Sequence, residues 1–295
     1  MAQGTARGGA NPEARNGLLL VAPPAFYAIL LLAAPMATIV LFSFLTDAQS
    51  GVEWKLTLSN YQEVLTEPVY RALMLRSLIV AVAVTLVTVV LAYPVAYFVS
   101  FHVKPERKSL WLFLITIPFW TSYIIRVFLW KVILGYNGVI NSGLMSLGII
   151  DEPLQAINYN VGALIMTLAH AYAPFAILPI FVVLEKIDRS LLEAGQDLGE
   201  GRFRTFLRVT LPLSMAGVIA AVLIVFIPTI GDYVTPNLIG GGKLPMIANM
   251  MEAKMLGQDN RPVGSAIVVV AMLIVALISV AFLVLNRRFL RGNQR

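Results

Sequence analysis

Six apolar stretches, each long enough to cross a bilayer, govern what this chain can fold into: Leu18 to Leu45, Ser77 to Phe101, Leu110 to Ile133, Val161 to Leu184, Leu213 to Tyr233 and Val263 to Leu285. A helix needs about 20 predominantly apolar residues to cross roughly 30 Å of hydrocarbon. No stretch between the six is long enough for a soluble domain of about 50 residues or more. Only 13% of residues are charged and the mean hydropathy is +0.80, whereas a soluble chain carries about 25% charged residues. The expected fold is an all-α polytopic membrane protein with six transmembrane helices. Its expected organisation is a disordered tail over 1–16, a six-helix domain over 17–288 containing a polar loop over 185–212, and a second tail over 289–295. Arg7 and Arg15 ahead of the first apolar run resemble a signal peptide, but a signal core is only about 7 to 15 residues. That run is therefore expected to be a retained span.

The formal charge of +6 reads as an orientation signal, because lysine and arginine bias sets topology. Arg7, Arg15, Lys104, Arg107, Lys108, Lys186, Arg189, Arg202, Arg204, Arg208, Arg287, Arg288, Arg291 and Arg295 fall on one side. The other side collects fewer, so both termini and the 185–212 loop are expected in the cytoplasm. Pro35, Pro94, Pro118, Pro174, Pro179 and Pro228 lie within spans and free backbone carbonyls there, as plain kinks or as the lining of a cavity. On the outer side, Ser59-Asn60-Tyr61-Gln62 fits a capping box opening a short surface helix. Gly135 to Pro153 reads as a turn-rich interfacial segment, and Met246, Met250, Met251 and Met255 form a soft face for the interface or a partner.

Enzymatic chemistry finds little support. The chain has no cysteine and two histidines, His102 and His170. His170, within the fourth span, is either functional or a neutral ring bonded to a neighbouring helix. Gly240-Gly241-Gly242-Lys243 is followed by Leu244 rather than Ser or Thr and lies on the outer side, so it is no phosphate loop. Charges within spans are costly. Counted along straight helices, Arg126 lies roughly 24 Å and Asp232 roughly 29 Å above the starts of their spans. The two are expected to share a depth in the outer leaflet, either paired or with Asp232 facing an outer vestibule; snorkelling to water is the plainer account.

In the polar loop, Leu191 to Leu198 favours helix and Gly199 is a suitable stop. Phe203, Phe206 and Leu207 follow at helical spacing between Arg202, Arg204 and Arg208. Two short helices joined by a glycine turn are expected, with Pro212 opening the fifth span. Such a loop either lies on the membrane surface or docks in a partner's groove.

The run Glu193-Ala194-Gly195-Gln196-Asp197-Leu198-Gly199, followed by Val209, Leu211 and Pro212, resembles the cytoplasmic EAA loop of permease subunits in type I ABC importers. It departs by having Gly195 for the second alanine, which weakens the helix by about 1 kcal/mol. Pro118 to Tyr123, Arg126, Trp130, Gly138, Asn141, Pro174-Phe175, Pro179, Leu184 to Asp188, and Phe226-Ile227-Pro228 through Gly231 to Pro236 are similar to spermidine/putrescine permeases, from about Tyr61 onward.

The resemblance implies a type I importer permease fold in a bacterial inner membrane. It also implies assembly with a second, homologous permease, two ABC ATPase subunits and an extracytoplasmic solute-binding protein, with no nucleic-acid partner. ATP and Mg would be bound by the ATPases, with no cofactor and no catalytic residue on this chain. Coupling to the ATPases would fall to Leu192, Glu193, Ala194, Gly195, Asp197, Leu198, Gly199, Phe203 and Phe206. A polyamine needs carboxylates and aromatic faces, since an ammonium over a ring gains about 0.5 to 2 kcal/mol. The pathway candidates are accordingly Asp232 and Tyr233, with Trp120, Tyr123 and Tyr172. Arg126 opposes a cation unless neutralised, and would favour an anionic or zwitterionic solute if it faced an open cavity. A channel without an ATPase, or a membrane-embedded enzyme, is the alternative class; the first has no need of the amphipathic loop and the second lacks a nucleophile and base.

Overall fold

The structure is a computed structural model that describes residues 12–48, 51–154, 157, 159–257 and 260–291. Helix α1 (Pro12–Ser43) is followed by a two-stranded antiparallel hairpin, β1 (Leu45–Ala48) and β2 (Gly51–Leu56), then by α2 (Ser59–Thr66) and α3 (Pro68–Phe101). Next come α4 (Pro105–Thr116), a 3-10 turn (Ile117–Trp120), α5 (Tyr123–Ile133), α6 (Val139–Ser146) and α7 (Val161–Leu184). The polar loop holds α8 (Arg189–Asp197) and α9 (Arg202–Thr205), and a π-turn (Phe206–Thr210) leads into α10 (Leu211–Ile230). Last are α11 (Val234–Ile239), α12 (Ile247–Glu252), α13 (Arg261–Leu285) and α14 (Arg287–Arg291).

Five helices are long and apolar enough to span a membrane, and the bent pair of α4 and α5 makes a sixth span if taken together. Hydropathy alone thus locates all six apolar segments, but the third is not the continuous rod expected over Leu110 to Ile133. Its two halves, Pro105–Trp120 and Tyr123–Ile133, meet at 86° across Thr121 and Ser122, just past Pro118. Proline removes a hydrogen bond and its ring clashes with the preceding turn, and here the chain leaves the helix altogether at Thr121. Helices α1, α3, α7 and α10 instead run through Pro35, Pro94, Pro174, Pro179 and Pro228.

The centre of the bundle is α3, α7 and α10, whose Val84, Ala96, Val99, Leu164, Leu168, Ile180, Leu184, Ala221 and Val225 form one buried cluster. Here α10 approaches α7 at Gly217, where an added Cβ would sit 2.7 Å from the Pro179 carbonyl oxygen and 3.0 Å from Ile180 Cα. Small residues allow this in membrane bundles, whose packing relies on close backbone approach. A second cluster joins α2, α3, α12 and α13 through Val64, Leu73, Ile247, Val263, Ala266 and Ile267. Helix α1 packs on α13 and is otherwise largely open.

At the end of α1, the buried Asn60 side chain donates to the carbonyls of Ser43 at 2.9 Å and Leu45 at 2.8 Å, while Ser43 Oγ meets Tyr61 OH at 2.6 Å. These bonds pin the hairpin and α2 to the helix end. Asn60→Ala would orphan two part-buried carbonyls at about 1 to 3 kcal/mol, and is expected to lower the melting temperature of the purified protein. The short helix predicted after Ser59 is present, but Ser59 is inside it rather than its cap, and its amide donates to Thr57 Oγ1 at 3.0 Å. The Gly135 to Pro153 segment contains a full helix, α6. The methionine segment turns inward: Met246 is buried, and Met250 and Met251 pack on the second cluster. Residues 1–11 of the expected N-terminal tail and 292–295 of the C-terminal one lie outside the described residues; α1 already begins at Pro12.

Candidate translocation site and coupling loop

Asp232 follows α10 after one glycine, where the chain turns into α11. Its Oδ1 accepts from the amides of Val234 (3.0 Å) and Thr235 (3.2 Å), the bonding of a side chain capping a helix start. Its Oδ2 accepts from Tyr123 OH at 2.6 Å, and Tyr123 OH also meets Thr235 Oγ1 at 2.6 Å. A carboxylate can only accept, so the single phenolic proton goes to Asp232 and the Thr235 hydroxyl donates to the phenol oxygen. Tyr172 of α7 lies beside Tyr123, the ring centroids 6.5 Å apart. One carboxylate, two phenols and a threonine are thereby brought together from α5, α7, the α10–α11 turn and the start of α11.

Arg126 does not pair with Asp232. Among the described residues, the ion pairs are Lys108 with Glu185 and Arg208 with Glu200. The Arg126 guanidinium lies 5.2 Å from the Phe119 ring centroid and 6.0 Å from that of Tyr123, with Nη1 3.5 Å from the Ala171 carbonyl oxygen. The depth count that brought the two charges together assumes a straight third span, and the bend at Thr121 and Ser122 removes that premise. Asp232 is half-buried and turned into the bundle, so simple snorkelling does not describe it.

Of the other pathway candidates, Tyr172 and Tyr123 join the group. Trp120 does not: it is 74% exposed and its ring meets Phe113. The Tyr233 side chain is exposed, while its carbonyl accepts from Asn249 Nδ2 at 2.9 Å, linking the site to α12. His170 Nδ1 accepts from Trp130 Nε1 at 3.1 Å, so the neutral ring carries its proton on Nε2 and bonds to the neighbouring α5. Sequence reading missed Thr235 as a site residue; the signal available was its position three residues after Asp232, the spacing of an Asp cap.

At the charge-rich end, the two expected loop helices are α8 and α9, joined through Gly199 at φ +83°. Asp188 caps α8, its Oδ1 accepting from the Ser190 amide at 3.0 Å, and that bond holds its carboxyl below the usual range. Gly195 faces Thr205, and a Cβ there would stand 3.2 Å from Thr205 Cγ2. The glycine that departs from the EAA pattern thus lets α8 and α9 approach closely.

The second loop helix is not separate from the fifth span, as expected, but continuous with it over Arg202–Ile230. The π-turn explains the continuity: Leu211 N–H bonds the Phe206 carbonyl, a wider ring that accommodates Pro212 without a break. Phe206 points inward, edge-on to Tyr93 at 5.6 Å and Tyr97 at 6.0 Å. Leu198 and Phe203 are 85% and 72% exposed, and Leu192, Glu193 and Gln196 line a cavity behind α8 together with Tyr97, Phe101 and Arg202. Ala194, Asp197 and Gly199 lie in or just after α8.

A family model described as "Binding-protein-dependent transport system inner membrane component" matches residues 24–293. The spermidine/putrescine transport system permease protein PotB of Haemophilus influenzae is 36% identical over 245 residues, 83% of this chain and 85% of that protein. PotB of Escherichia coli is 35% identical over 255 residues, 86% of this chain and 92% of that protein. The fold matches a crystal structure of a bacterial ABC transporter involved in the import of the acidic polysaccharide alginate, with a TM-score of 0.72 at 15% identity, covering 96% of this chain and 99% of that one.

Proposed function

The chain belongs to the family of binding-protein-dependent transport system inner membrane components, and on that premise we propose that it forms half of the solute pathway of an ABC importer that carries a polyamine. Its kin are transport permeases, and it is itself a multi-pass inner-membrane protein. In this reading a second permease completes the pathway, an extracytoplasmic binding protein delivers the solute, and two ATPase subunits hold ATP and Mg on the cytoplasmic side. The observation that carries it is the loop: α8 and α9 stand at the charge-rich end with Leu198 and Phe203 exposed, an apolar pair suited to a groove in a partner.

Phe203→Ala is expected to weaken ATPase binding by about 2 kcal/mol, roughly thirty-fold, as for a buried aromatic anchor. Glu193→Ala should abolish solute-stimulated ATP hydrolysis with less effect on expression. Co-purification from membranes checks the first, and ATP hydrolysis by the reconstituted complex checks the second. Recovery of no ATPase with the wild-type complex would favour a channel or an enzyme instead.

For the solute, the Asp232 carboxylate beside Tyr123 and Tyr172 suits an alkylammonium, which gains from both charge and aromatic faces. Arg126 supports a second reading, a solute bearing a carboxylate, because no acidic side chain among the described residues lies within ion-pair distance of it. Spermidine loaded on the binding protein should stimulate ATP hydrolysis by the reconstituted complex; stimulation by an acidic oligosaccharide alone would select the second reading.

A further inference from the structure

At the charge-rich end, away from the Asp232 group, one polar cluster ties several helix ends together. Lys108 in the first turn of α4 is buried, and its Nζ lies 2.5 Å from Oε1 and 2.7 Å from Oε2 of Glu185, the residue that ends α7. Ser100 of α3 donates to Glu185 Oε2 at 3.3 Å, and the Ser100 carbonyl accepts from Arg189 of α8 at 3.4 Å. Four helix ends meet in this cluster.

Lysine is almost never buried without a partner, but the Glu185 side chain is 41% exposed, and an ion pair open to water adds little. Stability is therefore a weak reason for it. Geometry is a stronger one, because Lys108 is the one buried residue of α4. Along its length α4 rests on the core of α3, α7 and α10 through the half-buried Leu112 and Ile115, and Trp111 meets Phe98; the ion pair is its polar tie at one end, and at the other it runs into the break beside Tyr123.

We infer that the Lys108–Glu185 pair is a positioning clasp through which displacement of the 185–212 loop is handed to α4. The twelve residues of α4 act as a rod of about 18 Å ending at the turn that places Tyr123 against Asp232. Glu185 stands three residues before Asp188, the cap of α8, so a shift of α8 reaches the clasp within one turn of chain. This rests on the importer reading above.

The test uses the full complex, with binding protein and ATPases, in lipid vesicles. The chain has no cysteine of its own, so Ser122→Cys places one thiol at the break, where labelling by a membrane-impermeant maleimide can be timed with and without ATP and vanadate. With the clasp intact, labelling should depend on nucleotide. Lys108→Met should remove that dependence and lower solute imported per ATP hydrolysed about tenfold, within the usual range for coupling between distant sites. Exchanging the charges, Lys108→Glu with Glu185→Lys, should restore both readouts, which also answers a Lys108→Met chain that fails to accumulate. Lys108→Met with unchanged labelling and coupling overturns the clasp, as does an assembled charge-exchange variant that restores neither. A wild-type complex that recruits no ATPase overturns the importer reading and the clasp together.

Discussion

Replacement of Gly217 by leucine is expected to leave little folded protein in the membrane. A Cβ at this position would lie 2.7 Å from the Pro179 carbonyl oxygen, 3.0 Å from Ile180 Cα and 3.1 Å from Val183 Cβ. Two of these three are backbone atoms, which cannot rotate aside, so α10 and α7 must separate. Overpacking costs about 1 to 3 kcal/mol, and more where the backbone must move. The leucine variant should exceed 3 kcal/mol, because the same shift opens the central cluster of Leu168, Ile180 and Ala221. Gly217→Ala should move stability in the same direction by less. Size-exclusion melting curves in detergent, with membrane yields alongside, read both; a leucine variant as stable as the wild type would contradict this packing.

Asp232 offers the second large effect, and here two substitutions separate structure from charge. Asparagine keeps an oxygen for the amides of Val234 and Thr235, and Tyr123 can reverse its bond to accept from the new amide. Asp232→Asn should therefore melt near the wild type. Alanine removes the cap, worth about 1 kcal/mol, and leaves Tyr123 short of a partner at about 1 to 3 kcal/mol. If the carboxylate receives an ammonium, both variants should lose uptake by about thirty-fold or more, since removing one member of a desolvated charge pair costs about 2 to 5 kcal/mol. Undiminished cation uptake by Asp232→Asn would restrict Asp232 to capping α11. Tyr123→Phe should weaken uptake less, because it removes a neutral donor and keeps the ring.

These two positions show what was legible in the sequence. The apolar spans and the two loop helices around Gly199 follow from local pattern, since length, hydropathy and a glycine stop are read within a few residues. The break just after Pro118, at Thr121 and Ser122, sits in an apolar run that reads the same whether straight or bent, and the other in-span prolines do not break their helices. The β1–β2 hairpin was missed although Val52, Trp54 and Leu56 alternate with Glu53 and Lys55; four-residue β1 is too short to carry that signal. Pairings between distant residues were least accessible. Tyr123 and Asp232 are 109 positions apart, and Lys108 and Glu185 are 77. An intramembrane arginine and aspartate invite each other by charge alone, but rings from Phe119 and Tyr123 took the guanidinium, and a phenol and two amides took the carboxylate.

The break after α4 also sets the thickness of the insulating layer. Backbone at Thr121 and Ser122 is not helical, and hydrocarbon cannot solvate such backbone, which persists at membrane depth only against protein or water. The apolar helical stretch below it, from Leu110 to Trp120, rises about 18 Å of a roughly 30 Å apolar slab. If water reaches the turn from the outer side, a charged solute at Tyr123 and Asp232 has already passed more than a third of the dielectric barrier before any helix moves. The remaining distance is the length of that stretch.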